Sequence, residues 1–198
     1  ALQHLRKNFD VAPTACAGHS LGEFSALVAA GATDFTDALQ CVQERGRYMQ
    51  EAVPPGRGAM AAVLGLDRAT VDDVCRSVSS GNGVVSPANY NGGGQIVIAG
   101  EAAAVKRAGE EAKGRGAKRA IPLPVSAPFH CSLMQPAADR MQDLLARFAF
   151  RNPAVPVYSN VTARPHPAEN DAAFAREARR RLTQQIVSPV LWEDTIKH

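Results

Sequence analysis

The hexapeptide Gly18-His19-Ser20-Leu21-Gly22-Glu23 constrains this chain more than any other stretch. It lies between a short apolar run, Thr14 to Ala17, and an alanine-rich helical run, Phe24 to Ala30. Strand, sharp turn and helix in that order make the context of a nucleophile elbow, where G-x-S-x-G lifts its serine to the apex of the turn. Both glycines are expected to remove Cβ atoms where the backbone turns tightly, leaving Ser20 presented. The backbone N–H groups that follow open a helix, where unpaired donors can hold a developing oxyanion. A serine so placed forms a covalent acyl intermediate, which points to acyl transfer.

Composition narrows the setting. With 198 residues, 45% of them hydrophobic, the chain can bury a core as one domain or two small lobes. A charged fraction of 21% in regular alternation with apolar runs argues against disorder. No apolar run reaches the length of a membrane span, and Ala1 to Lys7 lacks the pattern of a signal peptide. The four cysteines, Cys16, Cys41, Cys75 and Cys131, are scattered without metal-ligand spacing, so no metal is expected. They read as reduced thiols of a cytoplasmic protein. A net charge of +3 is too small to imply nucleic acid. Basic clusters at Lys113-Arg115-Lys118-Arg119 and Arg176-Arg179-Arg180-Arg181 read as solvated faces, or as attractors for an acidic partner.

The predicted elements fall into two patterns. A helix before Asp10, a strand into the elbow, the elbow helix and a helix over Thr36 to Ala52 come first, with a fresh N-cap between Thr33 and Thr36. From Gly58 the pattern changes to a strand at Ala59–Leu66 and a helix at Arg68–Val78 after an Asp67 cap. Strands at Gly83–Asn89 and Gln95–Ala99 flank a glycine turn; a helix at Ala102–Arg115 and a strand at Arg119–Val125 follow. That βαββαβ order predicts a ferredoxin-like lobe over residues 57–126, inserted into a core formed by residues 1–56 and 127–198. The core resumes with a helix at Ala137–Phe148, a strand at Val155–Val161 and a helix at Asp171–Gln185. Ile186 to His198 begins a further helix. The fold class is therefore α/β, a hydrolase-like parallel-sheet core with a nucleophile elbow plus the inserted lobe.

Ser20 needs a base. His4, His166 and His198 lie in terminal or loop contexts, and little role is expected of them. His19 adjoins the serine, but neighbours on a sharp turn point apart, so packing is its default. His130 follows Pro124-Val125-Ser126-Ala127-Pro128-Phe129 on an irregular loop at the exit of the lobe, where catalytic groups tend to sit, and it is the candidate base. Arg45 is the second unusual residue, because it falls in the apolar stripe Ala38, Cys41, Val42, Tyr48, Met49 of its helix. It is either half of a structural ion pair, a snorkelling stem, or a fork that grips a carboxylate bidentately.

Several segments resemble the malonyl-CoA:acyl carrier protein transacylases of fatty-acid synthesis. Gly18 to Leu27 resembles their nucleophile segment. Arg45-Gly46 with Met49 to Pro54, Gly58 to Val63, Ala88-Asn89-Tyr90-Asn91 with Gly94 to Gly100, and Leu123 to His130 are similar too. Gln185 with Pro189-Val190-Leu191-Trp192 closes the series, in order over nearly the whole chain.

The resemblance implies a Ser20–His130 dyad, with His130 oriented by the backbone carbonyl of Gln185 rather than by an aspartate. It implies that Arg45 binds the substrate carboxylate and that the Leu21 N–H is one oxyanion donor. Asn89 and Asn91 lie on a segment similar to one lining the family's pocket, and Phe129 resembles the malonyl-selective arrangement. The implied reaction carries malonyl from malonyl-CoA to the phosphopantetheine thiol of acyl carrier protein by ping-pong kinetics, with no bound cofactor, in a monomer. The family also begins with a strand and a Gly-Gln-Gly loop that supplies a second oxyanion donor, and it ends beyond a Gly-Pro-Gly segment. Neither occurs here, so the resemblance implies the middle two-thirds of such an enzyme, weakened in rate by about 10²–10³ per lost donor. An acyltransferase domain of a polyketide or fatty-acid synthase fits the same residues. An α/β-hydrolase esterase fits poorly, since it needs an acid before the histidine and has no purpose for Arg45. A silent carrier-protein binder would not be expected to keep Ser20, His130 and Arg45 together.

Overall fold

A computed structural model describes residues 2–9, 12–81 and 83–198. The helix expected before Asp10 is α1 (Leu2–Phe9); Asp10 itself lies outside the described residues. The elbow helix α2 (Gly22–Ala29) and α3 (Phe35–Glu51) follow. Then come β1 (Gly58–Leu64), α4 (Arg68–Gly81), β2 (Val85–Gly92), β3 (Gln95–Glu101), α5 (Ala102–Gly114) and β4 (Arg119–Pro122). A short 3-10 turn at Ser132–Met134 leads into α6 (Gln135–Leu145), and α7 (Asp171–Gln185) and α8 (Trp192–Ile196) complete the series.

The four strands form one antiparallel sheet in the order β2-β3-β1-β4, the arrangement a βαββαβ lobe requires. Asp67 caps α4 as expected, accepting from the Thr70 N–H at 2.8 Å. Strand alternation splits the sheet's side chains between two faces. Ala61, Val63, Ile96 and Ile98 pack with Val71, Val74, Val105 and Ala108 of α4 and α5. Met60, Ala62, Val97 and Ala99 face the other way and close over Cys131. Each large aliphatic buried this way contributes about 1.5–3 kcal/mol. The back of the sheet thereby seats the loop that carries His130. Where the chain enters the lobe, a Cβ on Gly58 would sit 2.3 Å from Cδ of Pro128, so only glycine lets the entering and leaving segments touch.

A second core joins Phe24 and Leu27 of α2, Cys41 and Met49 of α3, Met141 and Leu145 of α6, and Phe174 and Leu182 of α7. The strands expected at Thr14–Ala17 and Val155–Val161 are reduced to one parallel bridge, Cys16 to Val157, with Cys16 N–H on the Pro156 carbonyl at 2.8 Å and Tyr158 N–H on the Cys16 carbonyl at 2.9 Å. Pro156 donates no N–H, which interrupts any longer ladder there. The α/β class holds, with the parallel pairing carried by that bridge and a second one, Asn89 to Val190. β4 stops at Pro122 instead of reaching Val125, since Pro122 and Pro124 lack donors. β2 runs on through Asn91 to Gly92, past the expected end at Asn89. Asp34 occupies the N-cap position of α3 in extended backbone, but its carboxylate takes Arg151 at 2.7 Å instead of the helix.

Candidate active site

The elbow turns on the left-handed conformation of Ser20 itself, whose φ is +53°, a geometry that costs a non-glycine residue about 1–3 kcal/mol. Gly18 makes the turn possible: a Cβ there would lie 2.0 Å from the Gly22 carbonyl oxygen. Gly22 does not serve as expected, because a Cβ on it would meet open space. The expectation of free donors at the helix start is corrected as well. The N–H groups of Gly22, Glu23 and Phe24 close short turns onto the carbonyls of His19, Ser20 and Leu21. The Leu21 N–H lies just ahead of them, with no acceptor among the described residues.

His130 adopts φ +61°, so both members of the couple hold strained backbone. Its Nε2 lies 2.7 Å from Ser20 Oγ, and its Nδ1 lies 2.8 Å from the Gln185 carbonyl oxygen. A carbonyl only accepts, so Nδ1 carries the proton and the neutral ring turns its Nε2 lone pair to the Ser20 hydroxyl. Burial, the neighbouring Arg45 charge and His19 push the His130 pKa down to about 3 against the pull of the Gln185 and Ser188 carbonyls. The base is neutral and ready at any ordinary pH.

Arg45 is 6% exposed and enters from α3. Its Nη2 donates to Ser20 Oγ at 2.9 Å and to Gln185 Oε1 at 3.0 Å, while its buried Nε finds no partner. Burial lowers its pKa to about 10, opposed by the charge of Glu23, so it remains a cation at neutral pH. A buried guanidinium with an unpaired N–H, beside the nucleophile, is a receptor for an anionic oxygen. Gln185, fully buried, gives its backbone carbonyl to His130 and its side chain to Arg45.

Asn91 accepts from His19 Nε2 at 2.9 Å, and His19 also meets Trp192 edge-on, so His19 is packed as expected and ties β2 and α8 to the elbow. Asn89 is buried and bridged through its backbone to Val190. Phe129 is half-buried and packs against both cores. Three residues escaped sequence reasoning. Glu23 is fully buried behind Ser20, Asn160 accepts the Ser20 N–H at 2.6 Å, and His166, of which little was expected, is buried against Glu23 at 2.9 Å. Glu23 carried a signal, a carboxylate in the first turn of an otherwise apolar helix; Asn160 and His166, in loops, carried none. Nor is the Arg176–Arg181 cluster simply a solvated face. Arg179 donates to the Leu145 and Phe148 carbonyls, and Arg181 to Glu177, Thr162 and the Pro165 carbonyl. Among the described residues no cluster of three His, Cys, Asp or Glu could hold a metal ion, and no helix is long and apolar enough to cross a membrane.

An elbow serine, a histidine held by a carbonyl and an arginine beside the nucleophile, in an α/β framework with a ferredoxin-like lobe, define an acyltransferase-type protein. The profile of the family described as "Acyl transferase domain" matches residues 1–198, and the chain belongs to that family. It is 50% identical over 187 residues to the malonyl CoA-acyl carrier protein transacylase of Escherichia coli strain K12, covering 94% of this chain and 58% of that protein. The chain thus spans less than two-thirds of the curated relative's length. The malonyl CoA-acyl carrier protein transacylase of Coxiella burnetii superposes with a TM-score of 0.93 at 45% identity, covering 99% of this chain and 60% of the other. A type II PKS acyl-carrier protein in complex with its malonyl-transacylase gives 0.92 at 45% identity, covering 99% and 61%.

Proposed function

We propose that this chain carries the acyl-transfer centre of a malonyl-CoA:acyl carrier protein transacylase. Ser20 Oγ attacks the malonyl thioester carbonyl as His130 Nε2 takes its proton, forming the Oγ–C bond. The oxyanion forms against the Leu21 N–H. Collapse breaks the C–S bond, and His130 returns its proton to the departing CoA thiolate. The phosphopantetheine thiol of acyl carrier protein then repeats the sequence in reverse and leaves with the malonyl group. No bound cofactor is called for, since thioester and thiol bring all the chemistry.

The observation that carries this reading is the position of Ser20 Oγ, 2.7 Å from a base and 2.9 Å from a buried guanidinium. A simple esterase has no use for the second contact. Arg45 would grip the free carboxylate of malonyl, so that an acetyl substrate leaves the cation unanswered. The half-buried ring of Phe129 would crowd a 2-methyl branch, a discrimination of about 10–200-fold. Asn89 and Asn91 would line the acyl pocket. We assign residues 57–126 to the small lobe and residues 1–56 and 127–198 to the core, with the site between them. A cytoplasmic monomer fits four cysteines outside any disulfide and a modest net charge.

Intact-mass analysis after mixing with malonyl-CoA or acetyl-CoA tests the reading. A malonyl adduct mapped to Ser20, without an acetyl one, is expected; equal labelling by both would overturn the assigned selectivity.

A further inference from the structure

Among the described residues Glu23 is the one fully buried carboxylate behind the nucleophile, and the transfer steps above give it no part. An ionised carboxylate taken out of water costs several kcal/mol unless donors surround it. Glu23 has three. Its Oε2 accepts the Asn160 backbone N–H at 2.9 Å and Gln185 Nε2 at 2.7 Å, and its Oε1 faces His166 Nε2 at 2.9 Å. A carboxylate only accepts, so His166 carries its proton on Nε2. The other ring nitrogen of His166 is buried without a partner, so the ring spends its hydrogen bonding on Glu23 alone.

The first two donors belong to the two residues that hold the reacting couple. Asn160 accepts the Ser20 N–H at 2.6 Å and donates to the Gly18 carbonyl at 2.8 Å, fixing both sides of the elbow. Gln185 accepts His130 Nδ1–H on its carbonyl at 2.8 Å and donates to the Ser20 carbonyl at 3.1 Å. Two chains of hydrogen bonds therefore leave one carboxylate and end on the nucleophile and on the base. Arg181 holds the hairpin that carries His166 through the Pro165 carbonyl and Thr162.

We propose that the buried Glu23–His166 pair is a positioning element for acyl transfer, setting the Ser20–His130 geometry through Asn160 and Gln185. The inference rests on the dyad of the proposed function but not on its malonyl substrate. A displacement of about 1 Å between reacting groups can cost on the order of 10²-fold in rate. Carboxylate hydrogen bonds are roughly twice as strong as those to an amide. Glu23→Gln keeps the shape with one acceptor oxygen instead of two, whereas Glu23→Leu removes both chains.

The test is the rate at which a fluorophosphonate probe labels Ser20, read by intact mass. In that reaction the Oγ–P bond forms, the P–F bond breaks, fluoride leaves and His130 takes the hydroxyl proton. It needs the dyad and no carboxylate receptor. Rates are measured at saturation, on folded protein, the same interval below each variant's own unfolding midpoint. The maximal labelling rate is expected to fall about 5–10-fold in Glu23→Gln and about 100-fold in Glu23→Leu, with the probe's half-saturation concentration unchanged. Partial rescue by glutamine over leucine marks positioning, because a scaffold role alone changes the folded fraction and not the rate per folded molecule. A folded Glu23→Gln that labels at the wild-type rate overturns the proposal, whether or not Glu23→Leu folds. A wild-type chain that labels with fluorophosphonate but not with malonyl-CoA counts against the proposed substrate alone. One inert to both overturns the positioning role together with the dyad.

Discussion

Acidification separates a buried, depressed imidazole from an ordinary one. With the His130 pKa near 3, about 99% of the ring is still neutral at pH 5, whereas an imidazole titrating at about 6.5 would be roughly 3% neutral. The difference is about 30-fold in competent base. A malonyl carboxylate of ordinary pKa near 4 stays about 90% ionised at pH 5, so its pairing with Arg45 survives. Single-turnover acylation of Ser20 at saturating malonyl-CoA, followed by mass, is therefore expected to change less than about two-fold between pH 7.5 and 5. Stability should move instead. The unfolded ring takes up a proton below about 6.5 and the folded ring does not until about 3, so stability is lost as pH falls through that window. The whole interval corresponds to ~5 kcal/mol, and by pH 5 to ~2 kcal/mol. Urea midpoints of the wild type and of His130→Gln, compared at pH 7 and 5, isolate this contribution, since the variant lacks the group. An acylation rate that drops about tenfold per pH unit below 6.5, with no extra acid sensitivity in the wild type, would refute the desolvated-base argument.

Other substitutions probe the remaining parts of the site. Ser20→Ala is expected to abolish the malonyl adduct, and His130→Ala to slow its formation by about 10²–10⁴-fold without loss of CoA binding, measured by titration calorimetry. Arg45→Ala should lower kcat/KM for malonyl-CoA by about 10²–10³-fold and shift preference towards acetyl-CoA; unchanged selectivity in a competition assay would remove Arg45 from carboxylate recognition. Gly18→Ala should destabilise the chain by about 3 kcal/mol or more, because its Cβ would meet the Gly22 backbone at 2.0 Å. Gly22→Ala, with open space around its Cβ, should stay within about 1 kcal/mol, both read from thermal or urea midpoints.

Local pattern made most of the lobe legible. Short unbroken apolar runs in Gly58–Leu64 and Gln95–Glu101, the Asp67 cap and the glycine turn at residues 92–94 each act within a few residues, and the sheet follows from their order. Thr14–Ala17 and Val155–Val161 were over-read because apolar content does not reveal whether a partner strand lies alongside. In the structure they share one bridge, Cys16 to Val157, and Tyr158 turns to Pro165 instead, while Pro156 denies a further donor. Ser20 and His130 were legible for different reasons. The elbow is written in adjacent residues, whereas His130 stood out by elimination and by its loop, and the carbonyl that orients it comes from a residue 55 positions away.

The network behind the couple was less legible, and the reason is electrostatic. Arg45 was singled out because a cation in an apolar stripe must be answered by something. The same argument applied to Glu23, a carboxylate among Phe24, Ala26 and Leu27, all buried. Two opposite charges on the buried faces of consecutive helices could have been paired from the sequence alone, and Glu23 does support the Arg45 charge. Their pairing is not direct, however. Gln185 stands between them, accepting from Arg45 at Oε1 and donating to Glu23 at Nε2. A neutral amide on a helix rich in arginine and glutamine leaves no trace in composition or periodicity. Yet its placement matters, since a guanidinium forked directly onto Glu23 would have its donors occupied and could not receive a second carboxylate. The spacer leaves Arg45 compensated at long range and open at short range, which is the state a carboxylate receptor beside a nucleophile requires.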